Sequence, residues 1–211
     1  MAKEAVPRIV NPVREQDRAE DLLDNWRKYG YVMFPQQRAI YQSIASCIDD
    51  KMTLEVGCGS GQGSGVLECD HIGWFRATDS NPRNVEFAKC LYPWIDFQVW
   101  DIMEPRPWKS QADAVVAIEV IEHVADARVA LRNLIDAVKP GGTLWISTPN
   151  GTGKPKPPSN PFHVEEFTPA EVHRMVMEIT SIRMIEILEW ETFKPAEIGT
   201  LVDPLVYKVG L

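Results

Sequence analysis

The chain has 211 residues, a formal net charge of −8, 45% hydrophobic and 25% charged residues. That length suits one domain and that composition an ordinary globular chain, which excludes a disordered or fibrous protein. The negative charge repels polyanions and disfavours a general nucleic-acid coat, and no run is apolar enough to span a membrane. Cys47, Cys58, Cys69 and Cys90 show no C-x-x-C pairing. With no basic-then-apolar leader, the chain reads as cytoplasmic with reduced thiols, its oligomeric state left open.

Two helical segments are expected first, Gln16 to Lys28 and Pro35 to Ile48, the second opening on proline. From Met52 short apolar runs alternate with helical lengths, the signature of βαβ units and a parallel sheet. Strands are expected at Thr53–Val56, Trp74–Thr78, Asp96–Val99, Ala114–Ile118 and Thr143–Ser147, with the clearest helical spacing at Val85–Leu91 and Val129–Val138. Lys139-Pro140-Gly141-Gly142 is expected to stop a helix and open a turn. Pro149 to Pro161, crowded with turn formers, reads as a surface loop. Thr168-Pro169-Ala170-Glu171 reads as an N-cap with proline at the first helical position, opening a helix to about Ile179. Ile182–Glu189 and Leu205–Val209 complete a set of seven strands. Residues 1–211 are expected to form one domain, with 1–51 as an N-terminal helical cover and 149–163 as a mobile loop.

Leu54-Glu55-Val56-Gly57-Cys58-Gly59-Ser60-Gly61 puts glycines at alternate positions between a strand and a helix, where a tight turn lets backbone approach a ligand. Asp79 ends the next strand roughly twenty residues on, placed to accept from ribose hydroxyls. Asp101 closes the third strand beside the same crevice, within reach of an adenine amino group, and Trp100 before it is a candidate for stacking there. A pyrophosphate would meet the negative charge of Glu55 at the loop mouth, whereas an ammonium and a sulfonium suit Glu55, Asp79 and Asp101.

The order LEVGCGSG, ATDSNP, VWDI, DAVVAIEVIEHV and VKPGGTLWISTPN, from Met52 to Asn150, resembles the class I S-adenosylmethionine-dependent methyltransferases. The resemblance implies an α/β, Rossmann-like three-layer sandwich with a seven-stranded, mostly parallel sheet. It implies that Gly57, Gly59 and Gly61 line the methionine part of S-adenosylmethionine, with Cys58 beside them, and that Asp79, followed by Ser80, binds the ribose. Asp101 and Ile102 would flank the adenine, and Glu119 with Val120 would close the site near the methyl group.

Glu119-Val120-Ile121-Glu122-His123, with His163 downstream, gathers two carboxylates and two imidazoles. Such a set suits a divalent cation, Mg²⁺ or Mn²⁺. The E-x-x-E-H pattern with a later histidine resembles the O-methyltransferases of small-RNA 3′ ends, and ubiquinone-biosynthesis O-methyltransferases share its first part. Another reading of the same residues has Glu122 capping the next helix, His123 orienting substrate or acting as base, and His163 as an ordinary loop residue. The expected activity is methyl transfer to a small-molecule acceptor at oxygen, with Glu122 and His123 as catalytic residues. An RNA 2′-O-methyltransferase using the Glu119, Glu122, His123 and His163 cation site, and a catalytically silent S-adenosylmethionine-binding module, are the alternatives.

Overall fold

The computed structural model describes residues 33, 35–68, 73–107, 111–151, 160, 162–180, 185–189 and 205–211. The expected helix Gln16–Lys28, His71, Trp190 and most of the loop from Pro149 to Pro161 lie outside them. Five helices and seven strands are described, in the order α1 (Pro35–Ala45), β1 (Thr53–Val56), α2 (Gln62–Glu68), β2 (Phe75–Asp79), α3 (Pro82–Leu91), β3 (Asp96–Val99), β4 (Ala112–Ile118), α4 (Ala127–Asp136), β5 (Val138–Thr148), α5 (Pro169–Ile179), β6 (Ile185–Glu189) and β7 (Leu205–Gly210). The strands form one sheet in the order β3-β2-β1-β4-β5-β7-β6. Only β7 runs antiparallel to its neighbours β5 and β6.

Side chains leave a strand alternately to its two faces, so each strand feeds two cores. On one face Ala114, Val116 and Ile118 of β4 pack with Ile40 and Ile44 of α1, Leu67 of α2 and Val85 of α3. On the other, Val115 and Ala117 pack with Leu131 and Leu134 of α4 and Val172 and Val176 of α5. Helices therefore cover both faces, giving the three-layer Rossmann-like sandwich. The chain winds outward through β2 and β3 on one side of β1 and through β4 and β5 on the other, and strand order reverses between β1 and β4. At such a switch point, loops leaving the carboxyl ends of adjacent strands diverge and open a crevice.

One local expectation is corrected. Lys139-Pro140-Gly141-Gly142 lies inside β5, not ahead of it, and α4 has already ended at Asp136 with Ala137 as its C-cap. Ala112 pairs with Val138 but Ala114 with Thr143, so these residues bulge out of the β4–β5 ladder. Gly141 takes a positive φ of 83° there. Proline and glycine thus mark a bulge, because the strong pairing of β5 with β4 and β7 carries the strand through them.

The opening of α5 follows its sequence. Thr168 accepts from Glu171 N–H while the Glu171 carboxylate accepts from Thr168 N–H, a reciprocal capping box. Thr168→Ala should cost about 1 kcal/mol, read as a lower denaturant midpoint with an unchanged slope.

Candidate active site

The loop Gly57–Gly61 turns the chain from β1 into α2 at the switch point. Gly57 and Cys58 N–H both donate to the Thr78 carbonyl of β2, at 2.8 and 2.9 Å. Gly57 has φ 75°, and a Cβ there would lie 2.5 Å from a methyl of Val120, so only glycine fits. Gly61 meets the same limit against Ala88 and Phe97. Gly59 differs, because nothing lies within 4 Å of where its Cβ would stand. Its backbone is the part of the loop open to a ligand.

Asp79 stands at the end of β2, and its Oδ2 accepts from Gly59 N–H at 2.8 Å. Its Oδ1 accepts from Asn81 N–H at 2.9 Å and from the Asn84 amide at 3.1 Å. The carboxylate is thereby locked in one orientation, with both lone pairs of Oδ1 used and one of Oδ2 left over. Ser80 beside it is exposed. Cys58 is buried, and that burial pushes its thiol well above the ordinary range, which makes it unreactive.

Glu55 is fully buried on the α1–α2 face of β1. Its Oε1 accepts from the Tyr41 hydroxyl of α1 at 2.9 Å and its Oε2 from the Ser64 hydroxyl of α2 at 2.5 Å. The expectation that Glu55 meets the ligand's positive groups directly is corrected to a role beneath the loop, since its side chain has no exposed surface. Loss of hydration pushes its carboxyl up to about 7, opposed by the two hydroxyl donors and reinforced by the charge of Asp79. Sealed beneath the loop and with its charge reduced by burial, Glu55 does not tell one nucleotide type from another.

On the far side of the crevice Asp101 is exposed, and its Oδ1 accepts from Met103 N–H at 2.9 Å. Ile102 is buried, and its carbonyl accepts from the Asn133 amide of α4 at 2.6 Å. Trp100, expected as a stacking surface, is a core residue whose indole N–H donates to the Glu104 carbonyl at 3.2 Å.

The other half of the crevice begins where β4 ends. Glu119 takes a left-handed backbone with φ 56°, uncommon for a residue with a Cβ. Its N–H donates to the carbonyl and hydroxyl oxygens of Ser147, and the Ser147 hydroxyl donates to Glu119 Oε1 at 2.7 Å. Val120, expected near the methyl group, lies almost buried against Gly57. Glu122 is fully buried, with Oε2 accepting from the Thr148 hydroxyl at 3.1 Å and Oε1 standing 3.7 Å from His123 Nε2. Helix α4 is capped by Asp126, so the capping role considered for Glu122 does not hold.

The segment after the loop closes over these residues. The Glu122 carbonyl accepts from Val164 and Glu165 N–H at 2.7 and 3.3 Å. His123 Nδ1 lies 3.0 Å from the Phe162 carbonyl, which can only accept, so that nitrogen carries the proton. The rings of His123 and His163 meet edge to face with centroids 4.9 Å apart. Among the described residues, Glu122, His123 and His163 have ligand atoms within 4.8 Å of one another. Glu119, expected as a fourth ligand, is not in this group and is held instead by Ser147. The sequence reading missed Tyr41 and Ser64, hydroxyl residues without a motif of their own, and gave no role to Ser147 and Thr148, which lie in VKPGGTLWISTPN. Asn160 and Glu166 flank His163 at short spacing, the one signal that pointed toward them.

A mostly parallel sheet with a glycine loop and a carboxylate at its switch point defines an α/β protein of the Rossmann-like class. Residues 54–146 match a methyltransferase domain family. A probable S-adenosylmethionine-dependent methyltransferase of Mycolicibacterium smegmatis is 31% identical over 147 residues, 68% of this chain and 56% of that one. A ubiquinone biosynthesis O-methyltransferase of Bradyrhizobium diazoefficiens is 28% identical over 137 residues, 60% of this chain and 52% of that one. A TehB-like S-adenosylmethionine-dependent methyltransferase of Corynebacterium glutamicum, of known crystal structure, aligns at TM-score 0.69 and 20% identity, covering 95% of this chain and 99% of that one. Residues 54–146 are thus a methyltransferase domain, on the fold of the S-adenosylmethionine-dependent methyltransferases. It spans about half the length of the curated relatives it matches.

Glu55 gives a pH signature. Its folded pKa of about 7 exceeds the ordinary 4.5, so its contribution is full below 4.5, falls as pH rises to 7 and stays lost above, by about 3 kcal/mol in all. Glu55→Gln removes the ionisation, and the fall in its unfolding free energy between pH 5 and 8 should be smaller than in the wild type. Equal falls in both proteins would contradict the buried, neutral carboxyl.

Proposed function

We propose that the chain transfers the methyl group of S-adenosylmethionine to an oxygen of a small-molecule acceptor, with His123 as general base. The observation that carries this reading is the His123 imidazole, held by the Phe162 carbonyl through Nδ1 so that Nε2 is the basic nitrogen, beside the buried Glu122. The acceptor oxygen attacks the sulfonium methyl in line, the carbon–sulfur bond breaks with its electron pair going to sulfur, and the acceptor proton passes to His123 Nε2. The Glu122 carboxylate stabilises the imidazolium so formed. Burial around Glu122 favours this by excluding water from the charge pair.

S-adenosylmethionine is read as lying along Gly57, Cys58, Gly59 and Gly61, with its ribose on Asp79 and Ser80, its adenine by Asp101 and Ile102, and its methyl end by Glu119 and Val120. The ubiquinone biosynthesis O-methyltransferases among the relatives support an oxygen acceptor, and the net charge of −8 supports a small molecule over RNA. Residues 1–211 are read as one domain with 1–51 as its N-terminal cover, supported by α1, which packs behind the glycine loop and reaches Glu55 through Tyr41. The free thiols Cys47, Cys58 and Cys90 support a reducing, cytoplasmic setting.

A second reading rests on the convergence of Glu122, His123 and His163. Two imidazoles and a carboxylate fit Mn²⁺ better than Mg²⁺, which prefers an all-oxygen set. A cation held by these three residues would supply Lewis acidity that lowers the pKa of the acceptor hydroxyl. His123 Nε2 serves one role at a time, proton acceptor or ligand.

Asp79→Ala should weaken calorimetric binding of S-adenosylmethionine by at least about tenfold, since it removes both the ribose acceptor and the Gly59 anchor. With a catechol acceptor, His123→Ala should lower the rate of S-adenosylhomocysteine release roughly a hundredfold or more. Turnover unaffected by chelator supports the base, and turnover restored only by Mn²⁺ supports the cation. Binding without turnover on any of a panel of phenols and alcohols would instead mark a catalytically silent module.

A further inference from the structure

The histidine pair is held by a short relay whose hydrogen bonds have one consistent assignment. Phe162 N–H donates to Asn160 Oδ1 at 3.0 Å. A backbone N–H can only donate, so that end of Asn160 is its oxygen and the other end its NH₂ group. That NH₂ lies 3.0 Å from His163 Nε2. It also can only donate, so His163 Nε2 accepts and bears a lone pair. The ring proton is then on Nδ1, which lies 2.8 Å from Glu166 Oε1 and donates to it. His163 stands edge to face against His123, whose proton is likewise on Nδ1, held by the Phe162 carbonyl. Both rings therefore keep Nε2 as the basic nitrogen, and in both the Nδ1 proton is fixed by an oxygen behind the ring. An oxygen behind a ligating imidazole sets which nitrogen is offered to a metal and raises its basicity.

We infer that Asn160 and Glu166 are positioning residues for His163. Glu166 holds the proton on Nδ1, and Asn160 covers the Nε2 lone pair until a divalent cation takes its place. The inference rests on the cation reading of Glu122, His123 and His163 given above. Asn160 is half-buried and its amide makes a single neutral hydrogen bond to the ring, an interaction weak enough for a metal–imidazole bond to displace. Glu166 is also half-buried and is not displaced, because it sits on the opposite nitrogen.

The test pairs two readouts on the full chain. Imidazole ¹⁵N spectra of the cation-free protein report the tautomer of His163, and Mn²⁺ titration followed by the paramagnetic signal of the free ion reports affinity. The wild type should show His163 protonated on Nδ1. Asn160→Ala should keep that tautomer and bind Mn²⁺ roughly three to ten times more tightly, because the competing hydrogen bond is gone. Asn160→Ser keeps a hydroxyl acceptor for Phe162 N–H but is too short to reach the ring, and should also bind more tightly, which guards against a loop disturbed by alanine. Glu166→Gln should give a mixture of tautomers and bind Mn²⁺ about tenfold more weakly. A wild-type proton on Nε2, or Asn160 variants that bind Mn²⁺ but no more tightly than a wild type that also binds it, would overturn the inference. Should the wild type and all variants ignore Mn²⁺ while His163 shows the Nδ1 proton, the cation reading and the gating by Asn160 fall and the Glu166 positioning stands.

Discussion

A loop of glycines and one small thiol buries little apolar surface, so polar groups must hold it, and here two carboxyl groups do so. Glu55 sits beneath the loop and ties β1 to α1 and α2 through the hydroxyls of Tyr41 and Ser64. Asp79 sits beside it and takes Gly59 N–H directly. The shape of the crevice depends on this pair, since Asp79 ties the loop to β2 and Glu55 ties together β1 and α2, the elements on either side of the loop. Burial pushes the Glu55 carboxyl up to about 7, which lessens the charge it sets against Asp79 across a narrow turn.

The two cores divide the labour. The face bearing α1, α2 and α3 backs the glycine loop, and the face bearing α4 and α5 backs the segment after β4. The segment from Phe162 to Phe167 joins them at the rim, where Val164 and Glu165 bond to the Glu122 carbonyl and Phe167 enters the α4–α5 core. The histidine pair is thus assembled from two distant parts of the chain, held on one side by β4 and on the other by the start of α5. Glu119, in its left-handed conformation, is the pivot that lets the chain leave β4 while Ser147 of β5 holds its side chain.

Much of this was legible before any coordinates. The alternation of apolar runs placed the strands to within a few residues, because burial of both sheet faces demands uninterrupted hydrophobic segments. Asp79 was legible from its distance beyond the glycine loop, which the βαβ repeat makes nearly constant. Lys139 to Gly142 was misread because proline and glycine signal a break locally, and only the pairing of β5 with two neighbours carries the strand through it. Trp100 was misread for a related reason, since its place next to Asp101 says nothing of which sheet face it enters.

The sequence by itself determined the α/β class, the order of the motifs and the chemical identity of the side chains at the carboxyl ends of β1, β2 and β4, because these follow from local spacing and the strand period. The tertiary structure alone decided that Glu55 is sealed from the ligand, that Glu119 turns to Ser147, and that Glu122, His123 and His163 converge. Those outcomes depend on which groups meet across the sheet and on how many hydrogen bonds each buried oxygen must find, and neither is encoded in the distance between residues along the chain.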